Sequence, residues 1–170
     1  LLLLLFWPIL LVIALVVRFD SPGPVLYRGV RSGRYGKPFR ILKFRSMVVD
    51  AEKVGGGTTR LKDPRITSVG GWLRRHKLDE LPQLWNVMTG TMSVVGPRPI
   101  TEAQRGLYPG RAYYSLQPGI TGLWQVSKRN DCGFKDRSLI DDQYAASLSL
   151  REDLGILVRT IGVVIRCTGL

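Results

Sequence analysis

Asp79 and Glu80 are adjacent carboxylates, one residue after four side chains able to carry positive charge, Arg74, Arg75, His76 and Lys77. That pattern suits chemistry on phosphate, where cations must neutralise the charge that develops on a transferring group. Consecutive helical residues point about 100° apart, so the two acids need not share one proton as a facing dyad would. One of them can attack phosphorus while the other holds a metal. The same geometry argues against a glycosidase, whose carboxylates approach the bond from opposite sides about 5–9.5 Å apart. Asp79 can equally be a helix N-cap, a position Asp favours, where the helix dipole stabilises a carboxylate by about 0.3–1 kcal/mol. Both readings stand at this level.

Further candidates lie downstream. Arg98 sits between Pro97 and Pro99, a guanidinium on a stiffened loop suited to bidentate phosphate contact. Arg129 in Lys128-Arg129-Asn130 is a second such cation, and Asp141 is a third carboxylate with Tyr144 three residues on. His76 is the sole histidine, which argues against a His-based metal cage or a Ser-His-Asp triad. Neither a Walker-type loop nor a Gly-x-Gly-x-x-Gly fingerprint is present, so a nucleotide would be held through its phosphates and a metal. Cys132 and Cys167 lack metal-site spacing and read as free thiols in a reducing compartment.

The elements that must position these groups are legible in outline. Val25–Val30 and Phe39–Met47 read as strands of a hairpin around a Gly-rich basic connector. That connector could receive phosphate or serve as a solvated turn. Residues 50–65 read as an exposed loop. A helix is expected from about Thr67 to Lys77. A second is expected from about Asp79 to Gly90, its core stripe being Leu81, Leu84, Trp85 and Met88. Beyond it come loops, Gly96-Pro97-Arg98-Pro99 and Pro118-Gly119-Ile120-Thr121-Gly122. A last helix is signalled by Ser149 with Glu152 three residues later and carries Leu150, Leu154, Leu157, Ile161 and Val164. Such a helix can pack on a second copy as well as on the core, which leaves homo-oligomers open. The fold class is a helix-rich α/β, or α+β, domain.

Charge and hydropathy are unevenly spread over the 170 residues. Leu1–Val17 are 17 consecutive apolar residues, and the net charge of +12 is concentrated directly after them. Arg18–Lys77 hold 15 basic and 4 acidic residues, whereas Leu78–Leu170 hold 10 and 9. As a straight helix the apolar run reaches about 25 Å at 1.5 Å per residue, short of a hydrocarbon core of about 30 Å. Pro8 lies in its middle and should kink it. A kinked helix of marginal length can enter and leave by one leaflet, so residues 1–17 are expected to be re-entrant, with residues 18–170 forming the catalytic domain. An ordinary Pro-kinked spanning helix is the alternative. The basic stretch suits the cytoplasmic face of a membrane with anionic lipids, at roughly 1 kcal/mol per basic residue. Nucleic acid is the rival polyanion, and no recognition helix, zinc finger or RNP-like motif supports it.

Two blocks are together highly specific: Lys77-Leu78-Asp79-Glu80-Leu81-Pro82-Gln83-Leu84-Trp85-Asn86-Val87 and Met92-Ser93-Val94-Val95-Gly96-Pro97-Arg98-Pro99. They resemble the bacterial sugar transferase family, the monotopic phosphoglycosyl transferases. Pro24-Val25-Leu26-Tyr27, Lys43-Phe44-Arg45-Ser46-Met47 and Pro118–Val126 look like its other blocks, in family order. The resemblance implies transfer of a sugar phosphate from a UDP-sugar to undecaprenyl phosphate in the bacterial inner membrane. Asp79 would be the nucleophile of a ping-pong reaction that expels UMP, and Glu80 would be associated with Mg²⁺. Arg98 and Arg129 match substrate-contacting arginines, and Asp141 matches a further active-site acid. Arg75, Lys43 and Arg45 join them as candidate phosphate contacts.

The chain departs from the family pattern in places. Trp7-Pro8 stands where Ser-Pro is frequent, Thr91 where Asp is usual, and Ser127-Lys128 where Ser-Gly or Asn-Gly is common. The Asp-x-x-Tyr spacing after Asp141 is kept but ends in Ala145. The start at Leu1 reads as the remainder of a longer membrane helix. Two other classes are a membrane-anchored basic scaffold without chemistry and a metal-dependent hydrolase of nucleotide sugars. The first leaves the acid pair unexplained, and the second would release sugar phosphate without lipid.

Overall fold

The computed structural model describes residues 2–51, 63–127 and 133–166. It is a helix-rich α/β arrangement with two small sheets. Helix α1 (Leu2–Asp20) runs through Pro8 and three residues past the apolar run. It stops at the Ser21-Pro22-Gly23-Pro24 break, as proline and glycine there dictate. Among the described residues no helix is long and apolar enough to cross a membrane. One face of α1, Leu10, Ile13, Ala14 and Val17, packs on Phe44 and Leu73. The opposite face leaves Trp7, Val12 and Phe19 exposed.

Strands β1 (Leu26–Ser32) and β2 (Pro38–Phe44) form the expected antiparallel hairpin, from Leu26↔Phe44 to Ser32↔Pro38. Helix α2 (Ser68–Arg75) is capped by Thr67, whose side chain accepts from the Gly70 N–H at 3.0 Å. Of the expected exposed loop, residues 52–62 lie outside the described residues; Asp50 and Pro64 are exposed as expected, but Ala51, Asp63 and Arg65 are buried. Asp63 and Arg65 form an ion pair at 2.7 Å there, and the Arg65 guanidinium also donates to the Ala51 carbonyl. A buried charge requires such a partner, which is why this end of the loop turns inward.

The second expected helix divides in two. Leu78–Glu80 form a 3₁₀ turn, and α3 spans only Gln83–Met88 after Pro82. The face of α3 is also inverted relative to its apolar spacing. Gln83 and Asn86 are buried, whereas Trp85 and Met88 are 54% and 64% exposed. The cause is the edge of the hairpin. Asn86 accepts from the Leu42 N–H at 2.9 Å and donates to the Arg40 carbonyl at 2.8 Å. Its carboxamide thereby stands in for a neighbouring strand, and the apolar side chains face outward.

Strand β3 (Ser93–Val95) and strand β4 (Gly119–Thr121) pair in parallel, Ser93 with Gly119 and Val95 with Thr121. Their crossover contains a 3₁₀ segment (Glu102–Leu107) and α4 (Ala112–Ser115). Helices α5 (Leu123–Ser127), α6 (Phe134–Ala146) and α7 (Leu150–Ile165) complete the chain. Helix α7 starts as expected, with the Ser149 hydroxyl accepting from the Glu152 N–H at 3.2 Å. Its core contact is Ile156, with Leu157 beside it, packed on Val95 and Tyr144. Leu150, Leu154 and Ile161 of the expected stripe are instead exposed.

The Asn86 contacts give a stability test. Asn86→Leu strips partners from two backbone groups at the hairpin edge, each worth about 1–3 kcal/mol when left unsatisfied. A lower thermal midpoint for the purified variant is expected; an unchanged midpoint would show that this edge is satisfied some other way.

Candidate active site

Lys77 is the hinge of the site. It adopts the left-handed conformation (φ 60°, ψ 15°), which costs a non-glycine residue roughly 1–2 kcal/mol. The chain reverses there after α2, so the acids fall on a tight turn instead of capping a helix. Leu78 and Leu81 on either side of them pack into the α1 core, which fixes the turn. Asp79 is therefore not the N-cap of α3; Pro82 occupies that position.

Both carboxylates are buried, each 6% exposed. Lys43, from β2, donates to Glu80 Oε1 at 2.7 Å, and Arg98, from the loop after β3, donates to the same oxygen at 3.3 Å. Burial alone would raise the Glu80 carboxyl, but Lys43 and then Arg98 outweigh it and hold it well below the usual range. Asp79 responds oppositely. Burial, reinforced by the Glu80 charge, pushes its carboxyl up to about 6, against the pull of Lys43, Arg74 and Arg98. One oxygen of Asp79, Oδ1, is buried without a hydrogen-bond partner among the described residues. The pair is thus split into a permanently ionised, salt-bridged Glu80 and a more basic, poorly solvated Asp79. Such a division is the pattern by which neighbouring acids take different roles.

Lys43 and Arg98 are brought to the acid pair. Arg75 is not: it is exposed on α2, and its neighbour Arg74 takes the inward position. Arg74 donates to the Ser46 hydroxyl at 2.8 Å, and its charge acts on Asp79 and Glu80. The buried Leu73 next to it marks the inner face, so helical phase was the signal that favoured Arg74. Arg45 is turned toward the end of α1. Its guanidinium is buried and donates to the Val17, Ser21 and Pro22 carbonyls. It thereby satisfies the C-terminus of α1. Arg129 lies outside the described residues.

Asp141 has neighbours of its own. Among the described residues its partners are Tyr108, whose hydroxyl donates to it, Arg137 and Asp142. None of these belongs to the acid-pair cluster. Burial pushes Asp141 up to about 6. Tyr144 likewise serves the core, its hydroxyl donating to Asp153 at 2.6 Å.

The loop that carries Arg98 is locked to β4 by glycines. Gly96 N–H donates to the Thr121 carbonyl at 2.9 Å and Gly119 N–H to the Pro97 carbonyl at 2.8 Å. A Cβ on Gly119 would lie 2.1 Å from the Gly96 nitrogen, and one on Gly96 would lie 2.3 Å from the Gln117 carbonyl oxygen. Two flanking hollows meet the acid turn. One is a wholly apolar groove of about 390 Å³ between α1 and α2, whose lining runs from Pro8 through Val12 and Trp72 to Leu78. The other, about 250 Å³, reaches Glu80 and is bounded by Lys77, Leu81, Gln125 and Thr160.

No cluster of three or more His, Cys, Asp or Glu occurs among the described residues. Mg²⁺ does not require one, since it is commonly held by one or two carboxylates with substrate phosphates and water supplying the rest. The ionised Glu80 fits that donor set.

Comparison with known proteins places these residues in context. The sequence matches the family described as bacterial sugar transferase over residues 1–167. It is 43% identical to a UDP-galactose-lipid carrier transferase of Erwinia amylovora, over 95% of this chain and 37% of that protein. It is 44% identical to the exopolysaccharide production protein ExoY of Rhizobium meliloti, over 95% of this chain and 79% of that protein. A UDP-glucose:undecaprenyl-phosphate glucose-1-phosphate transferase of Escherichia coli is 50% identical over 75% of this chain and 28% of its own length. The chain thus spans from about a quarter to four fifths of these relatives.

The Asp141 environment makes a pH prediction. Its folded-state value, raised to about 6, lies above the unfolded value of about 3.9. The protonated form therefore favours the fold, and this contribution is lost as pH rises from about 4 through 6. Asp141→Asn should flatten the fall of the thermal midpoint across that window; an identical pH slope in both proteins would contradict the assignment.

Proposed function

The chain belongs to the bacterial sugar transferase family, and from that membership we propose that it transfers a sugar 1-phosphate from a UDP-sugar to undecaprenyl phosphate. The relatives' names support the donor and acceptor classes. The observation that carries the chemistry is the unequal acid pair: a basic, half-desolvated Asp79 beside a Glu80 neutralised by Lys43 and Arg98.

In this reading Asp79 attacks the phosphorus attached to the sugar. A new bond forms between its carboxylate oxygen and phosphorus, and the bond from that phosphorus to UMP breaks, with UMP leaving. The phosphosugar is then held as an acyl phosphate. An oxygen of undecaprenyl phosphate attacks the same phosphorus, the aspartyl bond breaks, and the ionised carboxylate is restored. Lys43, Arg74 and Arg98 supply the positive field that the phosphates require. Mg²⁺, held by Glu80 and donor oxygens, would add charge neutralisation when bound.

A water-soluble donor and a lipid acceptor must meet at the same carboxylate. The wholly apolar groove that ends at Leu78, next to Asp79, suits the hydrocarbon of the acceptor. The outward apolar faces of α1, α3 and α7 suit contact with a bilayer. The basic stretch after α1 supports its cytoplasmic leaflet. We therefore place the protein at the cytoplasmic face of the bacterial inner membrane, with α1 re-entrant.

Incubation with a panel of UDP-sugars and undecaprenyl phosphate, with UMP detection, tests the reaction. Asp79→Asn should abolish both UMP release and the covalent phosphosugar adduct; a normal UMP burst from this variant would refute the nucleophile. In the parent protein, single-turnover adduct formation should fall on the acid side of about pH 6, because protonated Asp79 cannot attack. Glu80→Gln removes the neighbouring negative charge, so Asp79 ionises more readily and the limb moves to lower pH even as turnover drops. A limb displaced to higher pH would reverse the assumed coupling.

A further inference from the structure

The Arg98–Glu80 contact is long, at 3.3 Å. A displacement of a few tenths of an ångström would take it beyond hydrogen-bonding range, so the position of the Arg98 loop must be tightly set. Arg98 itself has little backbone freedom, because Pro99 confines it to extended conformations. The loop's location therefore depends on its two anchors. The upstream anchor is the bond pair to β4 already described. The downstream anchor is Ile100, fully buried two residues after Arg98.

Ile100 is held from both sides. Its carbonyl accepts from the Ser32 N–H at 2.9 Å. Its own N–H donates to the Tyr113 hydroxyl at 3.2 Å, and that hydroxyl donates onward to the Ser32 carbonyl at 2.5 Å. One side-chain oxygen thus joins the end of β1 to the end of the Arg98 loop. Tyr113 is fully buried. Its ring packs against Tyr108 at 5.2 Å and edge-on to Tyr114 at 5.1 Å. Tyr108 is in turn tied to Asp141.

We propose that Tyr113 is a positioning residue for the transfer reaction, its hydroxyl fixing Arg98 against Glu80 through Ile100, with Asp141 and Tyr108 bracing its ring. The consequence for catalysis rests on the function proposed above; the effect on Arg98 does not. Tyr113 has no exposed surface, so it acts through Arg98 and not on substrate. The path also gives Asp141 work away from the acid pair.

The test is a double-mutant cycle of Tyr113→Phe with Arg98→Ala, reading the rate of UMP release. Tyr113→Phe keeps the ring and its packing. It should lower the rate about tenfold in the parent, or about 1.4 kcal/mol, and have less than a twofold effect once Arg98 is alanine. An equal loss in both backgrounds would assign Tyr113 a merely structural role and overturn the proposal. A second readout needs no turnover. In ¹⁵N-arginine spectra, the Arg98 guanidinium, identified by its disappearance in Arg98→Lys, should show restricted rotation in the parent and free rotation in Tyr113→Phe. Unchanged rotation overturns the proposal. If no UDP-sugar supports UMP release in the parent, the transferase reading fails while the guanidinium signal still decides the positioning. Should Tyr113→Phe not fold, Tyr108→Phe enters the same cycle, with a smaller loss of the same sign expected and a loss independent of Arg98 counting against it.

Discussion

A buried carboxylate must be paired, and in this protein the pairing of Glu80 determines much of what surrounds it. Removing an ion from water costs several kcal/mol even after relaxation, and breaking a buried pair by deleting one partner costs about 3–5 kcal/mol. Glu80 meets that demand with cations from two distant segments, Lys43 on β2 and Arg98 on the loop after β3. The hairpin, the acid turn and the Arg98 loop are consequently held together by one carboxylate oxygen. The segments that supply these cations are themselves pinned by backbone bonds, β2 through Asn86 and the loop through β4 and Tyr113. Charge placement and fold are here a single constraint.

That constraint explains why the motif blocks lie far apart in the chain yet act together. Gly96-Pro97-Arg98-Pro99 and Pro118-Gly119-Ile120-Thr121-Gly122 are interlocked backbones, with Gly96 and Gly119 too close for either to carry a side chain. Asn86, which follows the acid pair within the same block, serves as an artificial strand edge for the hairpin that bears Lys43. Some blocks supply the charged groups, Lys43, Asp79, Glu80 and Arg98, and others supply the contacts that hold those groups in place.

The sequence made local structure legible wherever local rules decide it. The hairpin, the Thr67 cap of α2 and the Ser149 cap of α7 follow from turn residues and capping side chains. Helical periodicity also indicated that α3 and α7 are two-faced, but not which face is inward. Apolar spacing marks a stripe but does not say that the stripe meets the core, and here Trp85, Met88, Leu154 and Ile161 are exposed. The acid pair, Lys43 and Arg98 were legible as types. Arg75 and Arg45 were not separable from Arg74 without helical phase and the path of α1. The contact of Asp141 with Tyr108 was not legible, because Tyr108 lies 33 residues away on a segment with no motif of its own.

The unpartnered oxygen of Asp79 bears on how this arrangement would favour chemistry. A carboxylate spreads its charge over both oxygens, so burying Oδ1 without a donor raises the free energy of the ionised state. The elevated titration of Asp79 is the equilibrium expression of that cost. In an acyl phosphate the unbonded oxygen becomes a neutral carbonyl, whose desolvation costs far less. A donor placed against Oδ1 would lower the energy of the free carboxylate and make it a weaker nucleophile. Lys43, Arg74 and Arg98 offset only part of the cost of burial through their field, and none of them bonds Oδ1 among the described residues. In the proposed reaction, leaving one buried oxygen unsatisfied would narrow the gap between the resting acid and the covalent state, and the packing of Leu78 and Leu81 holds the acid turn in that place.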